Sequence, residues 1–236
     1  MKSTSFLLKL LSVVLAAVVI SYSMRTPKYS WVQRLDIIVQ TPDGQESGYG
    51  LVEVVLAVPR RDSFLGSQFY WRISGAAAVV DMGDDKYLFG LLYNRDRSEH
   101  PDTVFRFAAQ RAGVLPRLSK ANARAWFKQV IALYRPVEVD FRKHIELAAF
   151  TNMSDPSSIV SVSDPEDFER IFGSKYSVLR AEISIVDETP SPDTLYTVLP
   201  WLKSETEPFP GRIGLISEIK YFYELIDSRH FVRNPQ

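Results

Sequence analysis

Apolar positions along this chain recur in two patterns, one at every second residue and one at every third or fourth. The first pattern opens in "QRLDIIVQT", residues 33–41, which alternates at its core and runs into Pro42-Asp43-Gly44. Such a Pro-Asp-Gly cluster is turn chemistry, because proline presets φ and glycine accepts a left-handed backbone. "GYGLVEVVLAV" follows, with Val52, Val54, Leu56 and Val58 on one face. The two runs predict an antiparallel pair joined by a connection longer than a two-residue hairpin. Gly48 and Gly50 inside the second run predict a bulge or tight bend. "FYWRISGAAAVVDM", then "GDDK", then "YLFGLLY" predict another strand–turn–strand unit, with Asp84 and Asp85 at the solvated turn.

The helical pattern takes over in the middle. "PDTVFRFAAQRAG" starts at Pro101 and stops at Gly113. "SKANARAWFKQVIALYRP" places Ala123, Trp126, Phe127, Val130, Ile131 and Tyr134 on one stripe, with Ser119 as N-cap and Pro136 as the stop. Strands return in "ELAAFTNMSDPSSIVSVS", two apolar runs joined by Ser154-Asp155-Pro156-Ser157. "DPEDFERIFG" predicts a compact helix capped by Asp164, with Pro165 first and Gly173 just past its end. "SVLRAEISIVDE" predicts a strand with Leu179, Ala181, Ile183 and Ile185 on one face, and "TPSPDTLYTVLPWL" an extended, proline-spaced passage. Leu215, Ile219, Phe222 and Ile226 near the end carry helical spacing, in an aromatic run that a strand would also suit.

The N-terminal stretch fits neither pattern. Lys2 and Lys9 bound a basic region, and Leu10–Ile20 is apolar except for Ser12. Ser21 and Ser23 then supply small residues for cleavage after Ser23, the layout of an export signal. A spanning helix needs about 20 apolar residues. Phe6 to Met24 comes close if Lys9 snorkels to the interface, so an uncleaved anchor is the second reading and a buried core helix the third. Arg25 and Lys28 argue against passage across the membrane, because positive charge prefers the cytoplasmic side. The chain thus divides into residues 1–23 as signal or anchor, 24–31 as a tether, and 32–236 as one domain.

Composition narrows the chemistry. Lys and Arg total 28 and Asp and Glu total 28. That balance lacks the basic excess by which nucleic-acid binders neutralise phosphates, so no nucleic-acid partner is expected. There is no cysteine, which excludes disulfides, thiolate metal sites and cysteine nucleophiles. His100, His144 and His230 stand apart from one another, and no metal site is implied. No Walker loop, G-x-G-x-x-G or G-x-S-x-G occurs, so no cofactor is implied either. Lys120, Arg124 and Lys128 fall four apart on the polar face of the predicted middle helix. They form a candidate patch for anionic lipid or an acidic partner, against the simpler reading of a solvated face. Trp201 in "LPWL" reads as a hydrophobic plug against the sheet.

Several of these segments, taken in order, resemble an uncharacterised bacterial family. The motifs are T-P-D-G at 41–44, V-E-V at 52–54, L-F-G-L-L at 88–92, D-P-E-D-F…F-G at 164–173 and L-P-W-L at 199–202. The resemblance spans most of residues 33–202. It implies one continuous domain and a bacterial origin, and carries no known activity. Tyr49-Gly50-Leu51 and Asn152 depart from the family's usual small hydroxyl and acidic or polar residues.

The expected fold is α+β: a mostly antiparallel sheet of about six to eight strands covered by two or three helices, preceded by the export segment. The expected role is a non-enzymatic binding or assembly module of the cell envelope, periplasmic or anchored in the inner membrane. The membrane itself is a partner if residues 1–23 are retained, and the soluble partner is an unidentified protein or anion. Two alternatives stand beside it. One is an envelope hydrolase whose site assembles only in the fold, with Glu53, Asp81 and His144 as first suspects. The other is a cytoplasm-facing anchored regulator. The export reading predicts that the native protein begins at Met24 by intact mass. It also predicts that a reporter fused after Gln236 is active outside the cytoplasm; activity confined to the cytoplasm overturns it.

Overall fold

The structure, a computed structural model, describes residues 26–58, 69–93, 101–162, 164–203 and 228–233. Residues 1–23 and the predicted terminal helix around Leu215–Ile226 lie outside them. Residues 30–55 and 72–236 form one compact unit, and residues 1–29 with 56–71 form a second. Within the second unit, the Val58 amide donates to the Pro27 carbonyl at 3.0 Å.

The described residues form a ten-stranded, mostly antiparallel sheet with a few helices, an α+β arrangement. Strand β1 spans Lys28–Thr41 and β2 Gly44–Ala57. The connection is only Pro42-Asp43, because Gly44–Gly50 is strand rather than loop. β1 also takes over residues 28–31 of the expected tether, and Trp31 is buried. Next come β3 (Tyr70–Ala76), β4 (Ala78–Asp81) and β5 (Tyr87–Gly90). The remaining strands are β6 (Val137–Val139), β7 (Leu147–Phe150), β8 (Ile159–Ser161), β9 (Ser177–Val186) and β10 (Val232–Arg233). The order along the sheet is β6-β9-β1-β2-β4-β5-β7-β8, with β3 between β2 and β10 off this path.

The sheet curls hard. β1 and β5 are separated by β2 and β4, so a flat sheet would hold them about 14 Å apart at some 4.8 Å per strand. Yet a Cβ placed on Gly90 of β5 would sit 2.5 Å from Ile37 Cδ1 of β1. Glycine at this position lets the Ile37 side chain reach across the concave face without shifting. A second close approach lies at Gly50, whose Cβ would fall 2.5 Å from the Ala78 amide and 2.7 Å from the Ala76 carbonyl oxygen. β2 thus packs directly on the backbone where β3 gives way to β4, and the single strand expected over 69–82 is broken at Ala77.

The helices are shorter than the periodicity suggests. Helix α1 covers Pro101–Arg111 and buries Val104, Phe105 and Ala109. Helix α2 runs from Ala123 to Ile131. Its cap position is Asn122, not Ser119. Those two residues instead form a turn, in which Asn122 Oδ1 accepts the Ser119 N–H at 2.7 Å and Ser119 Oγ accepts the Asn122 N–H at 3.3 Å. Trp126 is buried edge-on against Trp31 at 5.8 Å, and its Nε1 donates to the Pro116 carbonyl at 3.0 Å. Ile131 and Tyr134 do not join that stripe and are 42% and 81% exposed. Ile131 stands seven residues from Arg124, about two turns, which returns it to the charged face. Tyr134 lies past the helix end.

Helices α3 (Phe141–His144), α4 (Pro165–Phe172) and α5 (Asp193–Val198) are short. Asp164 occupies the cap position of α4, but its side chain makes no capping bond. The passage read as extended is α5 and a 3₁₀ turn at Pro200–Lys203. Leu195, Leu199 and Leu202 repeat at steps of four and three, so one face is apolar and buried against Phe89 and Phe150. Trp201 packs on Phe150 at 5.7 Å and donates from Nε1 to the Met153 carbonyl at 2.8 Å. On β9, Ala181 and Ile183 are buried, whereas Leu179 is exposed. The register jumps from Ile38↔Arg180 to Val39↔Val178, so Leu179 is the extra residue of a bulge.

The buried position of Trp126 generates a contrast with its charged neighbour. Trp126→Ala is expected to destabilise the protein by about 3–5 kcal/mol, against a few tenths for Arg124→Ala. Denaturant midpoints at equal slope check this, and equal losses would show the helix faces misassigned.

Candidate functional site

A groove of about 560 Å³ opens on one side of the sheet. Its floor is small: Gly48 and Gly50 of β2 and Ala76 and Ala77 at the strand break. Any Cβ at Gly48 would fall 1.8 Å from the Val79 carbonyl oxygen, so close strand packing fixes glycine there and leaves the floor bare. One wall is β4–β5, with Asp81 and Tyr87. The other is the loop after β9 and the start of α5, with Glu188, Ser191, Asp193 and Thr194.

Asp81, Glu188 and Asp193 are exposed, so the groove has a carboxylate rim. Asp81 Oδ1 accepts the Gly83 N–H at 2.9 Å, which holds the β4–β5 turn. Asp84 and Asp85 sit in that turn with left-handed φ of 52° and 57°. Asp193 Oδ2 accepts the Ser191 hydroxyl at 2.5 Å, and Ser191 Oγ accepts the Asp193 N–H at 3.2 Å. A cation lies beside the rim. The Arg34 guanidinium stacks over the Tyr49 ring at 3.9 Å and pairs with Asp36 at 2.9 Å and Glu188 at 3.6 Å. These half-exposed pairs hold geometry more than they add stability. Tyr87 has its phenol pKa raised above the ordinary 10.0, first by burial and then by the charges of Asp81 and Asp85.

The three catalytic suspects are not brought together. Asp81 lines the groove. Glu53 accepts the Ser74 hydroxyl at 3.3 Å in a separate cavity of about 170 Å³ beside Arg233. His144 faces an interior cavity of about 30 Å³ on the concave side of the sheet, with Gln33 and Tyr93. Among the described residues, no three His, Asp or Glu side chains converge on a metal position. The expected basic patch is also rearranged. Arg124 and Lys128 are exposed on α2, but Lys120 lies in the preceding turn and is half-buried. The sequence singles out neither Glu188 nor Asp193: Asp193 starts a helix hidden in the proline-spaced passage, for which the Leu195, Leu199, Leu202 spacing is the signal, and Glu188 reaches the groove through the loop after β9. No protein-family model matches the chain, and no curated protein or solved structure matches it either.

Tyr87 offers a direct probe of the rim. Its raised pKa means that folding favours the neutral phenol. The associated stability is complete below pH 10 and is lost as pH rises through the folded-state value. Phenolate absorbance, taken as the difference from Tyr87→Phe, should place its titration above 10.0. Asp81→Asn should lower that value only in part, since burial is the larger cause. No change in Asp81→Asn would remove Asp81 from the rim's electrostatics.

Proposed function

We propose that this chain is an exported or membrane-tethered binding or assembly module of the bacterial envelope, not an enzyme, and that the groove over Gly48, Gly50 and Ala77 seats its ligand. The observation that carries this reading is the groove itself. It has a bare apolar floor, a ring of hydroxyls and carboxylates, and backbone-fixed walls, as small-molecule and peptide sites have. The dispersal of Glu53, Asp81 and His144 over three cavities speaks against the hydrolase reading. Asp81, Glu188 and Asp193 favour a ligand bearing amino or hydroxyl groups. The N-terminal basic, apolar and small-residue layout supports export. Arg25 and Lys28 support the second reading, a regulator anchored on the cytoplasmic side.

Thermal unfolding against amino sugars, diamines and short cationic peptides tests the groove. A ligand at 100 times its Kd should stabilise the protein by about 2.7 kcal/mol. Thr194→Trp, at an exposed wall position, should abolish the shift while leaving the unliganded midpoint in place. The binding reading fails if no compound stabilises the native protein. It fails equally if a compound is cleaved and cleavage stops in Asp81→Asn.

A further inference from the structure

The chain's charges balance overall, but not locally. Residues 103–137 hold seven lysines and arginines and no aspartate or glutamate. This stretch contains most of α1, all of α2 and the turns around them. We propose that the outer face of α2, with the turns that flank it, is a docking surface for anionic lipid headgroups at a membrane surface.

Arg124, Lys128 and Ile131 share one face of α2, while Ala123, Trp126 and Val130 are buried on the other. Arg117 lies in the preceding turn, its carbonyl bonded by Asn122 Nδ2 at 2.9 Å, and Arg135 follows the helix end. Arg117, Arg124, Lys128 and Arg135 are all exposed, and none has an ion pair among the described residues. The carboxylates that bound this stretch in sequence are Asp102, which is buried at the start of α1, and Glu138. Glu138 is exposed on β6, and Asp140 is paired with Lys143 at 2.7 Å and also feels Arg111, which is therefore left out of the surface. Interspersed with the cations along the sequence are exposed apolar side chains: Ile131 on their face of α2, Tyr134 just beyond its end, Val114 in the turn after α1 and Phe107 on α1. A purely solvated face has no use for these. A face that meets anionic headgroups while inserting a tyrosine and aliphatic side chains at the interface uses both classes. An acidic protein or RNA would use the charge but leaves the apolar members unexplained. The surface is independent of the groove reading.

The chain lacks cysteine, so one introduced thiol gives a unique label. The full-length Tyr134→Cys protein carries an environment-sensitive dye and is reconstituted in phosphatidylcholine vesicles, with or without about 30% phosphatidylglycerol. The dye stands just past the end of α2, so it reports on that face in either vesicle type. A blue shift only in the anionic vesicles is expected, reversed above about 0.5 M salt. Arg124→Glu with Lys128→Glu should abolish the shift, Arg124→Lys with Lys128→Arg should keep it, and helical circular dichroism should be unchanged in both. The same dye at Ser47→Cys, in the groove, should not respond. Identical emission in the two vesicle types, or a shift that survives the charge reversal, overturns the proposal. A dye that responds to an acidic polypeptide or RNA but not to anionic vesicles overturns it in favour of that partner.

Discussion

The hydrogen bond from the Ala77 amide to the Phe231 carbonyl, 2.7 Å long, closes a gap that the rest of the sheet would otherwise leave open. β3 ends at Ala76 and β4 begins at Ala78, so the backbone at Ala77 has left one ladder and not yet joined the next. A buried amide without an acceptor is costly. The C-terminal segment supplies that acceptor and more: the His230 carbonyl accepts the Leu92 N–H at 2.8 Å, and β10 pairs Val232 with Ala76 and Arg233 with Gly75. The Phe231 ring, fully buried, then stacks with Phe89 and Phe150 at 5.7 and 5.9 Å. Leu195, Leu199 and Leu202 pack on this same cluster, which is how α5 and its carboxylate come to stand at the groove wall.

The same break accounts for the groove. β2 can cross Ala76–Val79 at such short range only through Gly48 and Gly50, and those glycines leave nothing standing above the floor. Packing on the backbone and room for a ligand are two results of one choice of residue. Gly90 plays the matching part on the concave face, where Ile37 fills the space that a side chain would claim.

Local signals were legible where one residue's chemistry decides the backbone. Pro42-Asp43-Gly44, Asp164-Pro165 and Gly173 each mark a real boundary. The alternation of Val52 and Val54 and the run "YLFG" likewise read as strand. What could not be read was set by contacts distant in sequence. Ala77 is one alanine among three, and nothing near it foretells that Phe231 will be its partner. Leu179 looks like its neighbours Ala181 and Ile183, and only the register slip against Val39 turns it outward. Ile131 and Tyr134 looked apolar and therefore buried, yet the helix phase and its early end expose them. Of the site, Asp81 stands out in the sequence as a carboxylate suspect, whereas Asp193 depends on recognising α5 inside a proline-rich passage and Glu188 on the course of the loop after β9. Gly48 and Gly50 were read as a bend, and their use in close strand contact needed the partner strand.

The position of Phe231 in the chain has a bearing on how this protein can be made. The centre of its sheet is completed by residues 230–233, which lie far in sequence from the strand break they close. Until that segment docks, the Ala77 amide and the Phe89–Phe150 pair lack the element that covers them, and the Ala77–Phe231 bond joins residues more than 150 positions apart. Such long-range closure is slow and leaves a nascent chain without its finished core. Phe231 thus acts as a keystone: one residue drawn from far along the chain finishes both a ladder and an aromatic cluster.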